Sequence, residues 1–110
     1  MHDKLRAVIA KRIALHPEDD FQIDKCWKEE VALLTEDIDE AIDFIRNHGT
    51  DEEIYWLSEI FEDVVHSVHS MPFVEAIIER ANTIYDEAKK KSVLSEAEYA
   101  RMILEDSDNP

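Results

Sequence analysis

The first candidates for chemistry in this chain are histidines and carboxylates that share one helical face. Glu62, His66 and His69 fall at i, i+4 and i+7, and Asp63 precedes His66 by three residues. Residues three and four apart are neighbours on a helix, and imidazole with carboxylate can ligate zinc or iron. A di-iron bundle needs Glu-x-x-His on two helices and two further Glu residues. Only this one segment offers anything like it, and His2, His16 and His48 fall at element ends with no matching spacing. The expectation is surface histidines paired with Glu62 or Asp63, no metal site and no cofactor. His66 would then make partner binding pH-sensitive, because an imidazole changes charge at about pH 6.5. Lys25 and Lys28 beside Cys26 can depress its pKa, but no Cys–His arrangement is visible and the thiol reads as structural. Ser58, Ser67 and Ser70 lie in no nucleophile elbow. A single Gly excludes glycine-rich phosphate loops. No catalytic residue is expected.

The elements that would carry these residues are helices. Leu5, Val8, Ile9 and Ile13 mark a helix over about 3–15, ending before Pro17. Asp19 or Asp20 can cap a second, with the stripe Ile23, Trp27, Val31 and Leu34 and with Phe21 at its entrance. Trp27 reads as core. Thr35 is the expected N-cap of a third, buried through Ile38, Ala41, Ile42 and Ile45 and stopped by Gly49 as a C′ residue. Thr50-Asp51-Glu52-Glu53 reads as a capping box opening one long helix: Ile54, Leu57, Ile60, Phe61, Val64, Val65, Val68. Pro72 suits the first turn of the next, which carries Phe73 to Tyr85 and frays through Lys89-Lys90-Lys91. Ser95-Glu96-Ala97-Glu98 reads as a second capping box, opening a short last helix with Ala97, Ala100, Ile103 and Leu104. No segment alternates apolar and polar residues over a useful length. The expected fold is all-α, five or six short antiparallel helices, as a compact bundle or a short α-solenoid-like stack. One domain covers 1–105, and 106–110 form a disordered acidic tail.

Twenty-seven acids oppose 12 bases, a net charge of −15 over 110 residues. Residues 1–17 carry +3, 18–63 carry −14 and 64–110 carry −4. This disfavours nucleic acid, whose phosphates call for Lys and Arg, and favours a basic partner or simply high solubility. One Cys excludes a disulfide framework. No apolar run approaches the roughly 18 residues of a membrane span, and no signal peptide is read at Met1-His2-Asp3-Lys4. No membrane is expected, and the expected compartment is the cytosol.

One stretch resembles a known family. It runs Trp27…Leu33-Leu34-Thr35-Glu36-Asp37…Ala41-Ile42-Asp43-Phe44-Ile45, then Trp56-Leu57-Ser58-Glu59-Ile60-Phe61-Glu62-Asp63-Val64-Val65, then Ser70…Phe73-Val74. It is similar to small bacterial all-helical immunity proteins encoded beside polymorphic toxins, including those of contact-dependent growth inhibition. The resemblance covers a little over half the chain and is most specific from Trp56 to Val65. It implies a cytosolic, non-enzymatic protein that binds a cognate toxin's C-terminal domain one-to-one and blocks it. Many such toxins are nucleases. The family has no shared catalytic motif, so no contact residue is carried over.

The residues themselves supply the expected partner-binding face. Helical spacing turns Glu36, Glu40, Asp43 and Asn47 away from the core of the third helix. It does the same for Tyr55, Glu59, Glu62 and His66 on the fourth, flanked by Trp56 and Asp63, and Asp51 and Glu52 stand at the junction. Aromatic residues among carboxylates resemble an interface hot spot. An acidic face can cover a basic nuclease site or hinder access of its substrate, and charge steering speeds encounter. The alternatives are a solvated acidic surface, an acidic DNA mimic, or an adaptor, with an exposed flank of Phe44, Tyr55 and Trp56 as the self-interface of a homodimer.

Overall fold

In the computed structural model, which describes residues 1–107, several helices begin where a side chain meets an orphan N–H. Asp19 accepts from Gln22 N and opens the second helix. The Thr50–Glu53 capping box is complete, each side chain bonded to the other residue's backbone. Ser70 accepts from Phe73 N with Pro72 in the first turn. The elements are α1 (His2–Ala14), α2 (Asp20–Glu36), α3 (Ile38–Asp43), a π turn (Phe44–His48), α4 (Asp51–Leu57), a 3₁₀ turn (Ser58–Ile60), α5 (Phe61–Ser67), α6 (Met71–Ala81) and α7 (Glu87–Ser107). The described residues contain no strand. The fold is an all-α compact bundle with a radius of gyration of 13.3 Å, as expected for a chain of this length.

α7 packs along α5 and α6, α1 against α2, and α3 with its π turn against α6. Phe44, Phe61, Phe73, Ile54, Leu57 and Ile77 fill the centre, all fully buried. Phe61 and Phe73 meet edge to face at 6.0 Å, and each such side chain contributes roughly 1.5–3 kcal/mol by leaving water.

Several boundaries differ from the sequence reading. Thr35 is no N-cap: its hydroxyl donates to the Val31 carbonyl inside α2, and Asp37, accepting from Glu40 N, caps α3 instead. The long helix expected from Ile54 to Val68 is interrupted at Ser58–Ile60, where the Ser58 hydroxyl donates to the Tyr55 carbonyl. Gly49 is not left-handed; its φ is −69°. It is needed for space, since a Cβ there would lie 2.8 Å from Ile54 Cδ1 and 3.1 Å from Phe44 Cε1. α6 ends at Ala81, and Asp86 accepts from Lys89 N at the start of α7. The lysine run therefore begins a 21-residue helix, and Ser95 lies within it rather than capping a short one. That helix takes in Asp106 and Ser107 of the expected tail; residues 108–110 lie outside the described residues.

Candidate functional site

The 3₁₀ turn presents Glu59 to α1 and α2. Arg12, in the last turn of α1, donates from Nη2 to Glu59 Oε1 at 2.7 Å and from Nε to Oε2 at 3.0 Å. Trp27 Nε1 of α2 donates to the same Oε2 at 2.8 Å. The guanidinium carbon stands 4.9 Å from the centre of the Trp56 ring and 5.9 Å from that of Trp27. Cation–π contact and a bidentate ion pair thus share one arginine. Trp27 is partly buried and packs against the core.

Close to this assembly lies Glu30, 0% exposed and with no hydrogen-bond partner on either carboxyl oxygen. Burial and the nearby Glu59 carboxylate push its pKa up to about 8, with Arg12 opposing. It is therefore mostly protonated at neutral pH, which removes the cost of a buried charge.

On the α7 side, Tyr55, Trp56, Ser58, Glu59, Ser92 and Glu96 line a cleft of about 180 Å³. Lys89 Nζ sits 5.5 Å above the Tyr55 ring. Burial raises the Glu96 pKa and repulsion from Glu62 adds to it. Glu59 and Glu96 thus bring two carboxyl groups to the aromatic pair, with Glu62 near Glu96, and among the described residues Glu59 alone of the three holds a cation. Glu96 was missed from sequence because Ser95-Glu96 reads as a cap rather than as the middle of a long helix.

The remaining expected contact residues fall into separate groups. Asp63 lies in a groove with Asp24, Trp27 and Val31. Glu36 and Glu40 line another, with Met1, Lys4 and Leu33. Asp51 is held by Arg80 Nη2 at 2.7 Å and by Tyr85 N at 3.1 Å, which together lower its pKa, the Tyr85 bond most. Glu52 and His66 are exposed. Among the described residues the side chains of Glu36, Glu40, Glu52, Glu62 and Asp63 make no hydrogen bond or ion pair. The expected pairing of His66 with Glu62 or Asp63 does not form, and α5 ends at Ser67, short of His69. Two further expectations are corrected. Phe44 is 0% exposed and belongs to no surface flank. Cys26 is 1% exposed, and burial raises its pKa despite Lys11 and Arg12.

Among the described residues, one trio of metal-ligating side chains does converge: His2, Asp43 and His48, with ligand atoms all within 4.8 Å of one another. Sequence spacing hides it. Residues i and i+5 stand roughly 140° apart on an α-helix. The π turn, closed by Gly49 N bonding to Phe44 O at 2.8 Å, brings Asp43 and His48 together, with His48 Nε2 3.0 Å from Asp43 Oδ2.

Comparison with protein-family models, with curated proteins and with solved structures gives no match to this chain.

Proposed function

We propose that the protein acts by binding rather than by catalysis, as an immunity protein that neutralises a toxin domain with a basic surface, such as a nuclease. The supporting observation is the cleft around Trp56. Its carboxyl groups outnumber their cations, and repulsion between Glu62 and Glu96 is relieved when an Arg or Lys of a partner enters. Tyr55 and Trp56, already faced by Lys89 and Arg12, form the aromatic wall beside it. Glu59 has a different role from the one its spacing suggests: bound by Arg12 and Trp27, it holds the wall of the cleft. Asp63 extends the surface toward α2. Glu36 and Glu40, across the molecule beside α1, are left to long-range steering, along with the net charge of −15. The place of action in this reading is the cytosol, where such a toxin would reach its substrate.

The test is co-expression with the C-terminal domain of a large exported protein encoded next door. A one-to-one complex in which nuclease activity is lost supports the reading. A toxin domain that stays active and elutes alone overturns it.

A self-associating adaptor is the second reading, favoured by Tyr99 and Met102, one turn apart on α7 and each 52% exposed. A dimer mass at micromolar concentration would support it, and a monomer mass would remove it.

A further inference from the structure

We propose that His2, Asp43 and His48 form a binding site for a divalent transition-metal ion of zinc-like character. The three ligands come from three places in the fold: the start of α1, the end of α3 and the end of the π turn. Two imidazoles and one carboxylate are a donor set for zinc and its neighbours, not for magnesium or calcium, which take oxygen.

The surroundings hold these groups in place. Asn47 Nδ2 donates to Asp43 Oδ1 at 2.8 Å, leaving Oδ2 turned toward His48. Outer-shell bonds of this kind orient a ligand and raise its affinity. The His2 ring packs edge to face on Phe44 at 5.4 Å and lies 4.6 Å from the His48 ring. Phe44 is fully buried, so the platform beneath His2 is rigid.

Ligand atoms on one zinc ion stand roughly 3.3 Å apart. The trio's ligand atoms lie within 4.8 Å of one another, and the side chains of Asp43 and His48 are about half exposed, open to an ion from solvent. The cation beside the site is Arg6, whose guanidinium bonds to the His48 carbonyl and stands 5.4 Å from the Phe44 ring. Its charge is met by Glu53 at 3.2 Å. The π turn then has a reason: π turns gather at functional sites, and here one puts a carboxylate and an imidazole five residues apart onto one face.

The test uses the full chain without a histidine tag. Zinc is titrated against a chromophoric chelator, and cobalt is followed by its visible absorption. The site predicts one ion per chain, with binding weakened at least about tenfold in each of His2→Ala, Asp43→Ala and His48→Ala. The double variant His66→Ala/His69→Ala should bind as the parent does. Imidazole NMR signals of the unaltered chain provide a check free of any folding defect: zinc should shift His2 and His48 first. Zinc that shifts all five histidines alike, or binding that none of the three variants weakens, would overturn the site.

Discussion

The Arg12 guanidinium grips the Glu59 carboxylate with two hydrogen bonds while standing over the Trp56 ring. This contact ties α1 to the 3₁₀ turn and stiffens the wall of the acidic cleft. Arg12→Met keeps the aliphatic stem but removes both bonds and the cation. We expect a loss of about 1.5–3 kcal/mol in chemical unfolding, with tryptophan emission shifted to the red. An unfolding midpoint equal to the parent's would mean that the pair adds nothing.

Glu30 gives the protein an alkaline liability. Its folded pKa, about 8, lies above its ordinary value of 4.5. The folded state therefore binds the proton more tightly, and the group's stabilising effect is complete below about pH 4.5 and lost as pH rises through about 8. The slope is about 1.4 kcal/mol per pH unit within that window. Glu30→Gln, which carries no charge to bury, should flatten it. A series of melts from pH 5 to 9 checks this, the variant gaining on the parent toward high pH.

Asp51 acts in the opposite sense. Tyr85 N and Arg80 depress its pKa, so its contribution is present above the ordinary carboxylate range and lost as pH falls through the lowered value. Asp51→Asn should leave the neutral-pH fold intact while releasing the α6–α7 connection. Faster amide exchange at Tyr85 is the readout.

The helices were legible because apolar spacing and caps agree: Asp19, Thr50 with Glu53, and Pro72 all act as their residue types suggest. The departures share a cause, which is tertiary packing choosing between local options. Ser58 can continue a helix, but its bond to Tyr55 O goes with a tighter turn that delivers both Ile60 and Phe61 to the core. Ser95-Glu96 has the form of a cap, yet Asp86 starts the helix earlier and Val93 is already buried. Of the candidate face, Tyr55, Trp56 and Glu59 do line one cleft. That Arg12 occupies Glu59, and that Glu96 takes its place as the unmatched acid, depends on contacts 47 and more than 30 residues apart, which no local pattern encodes.

Gly49 tests the packing between the π turn and α4. Gly49→Ala has no backbone penalty at φ −69°, but its Cβ meets Ile54, which is fully buried and has little room to yield. A cost of about 1–3 kcal/mol is expected from overpacking, measured as a lowered unfolding midpoint.

The most direct test of the central claim is the affinity of the double variant Glu62→Lys/Glu96→Lys for the proposed toxin partner. These two acids make no ion pair among the described residues, so reversing them spares the Arg12–Glu59 contact. With the helical circular dichroism unchanged, binding should weaken by about 100-fold, much of it through slower association that high salt also produces in the parent. Unaltered affinity in a folded double variant would contradict the account and place the interface away from Trp56.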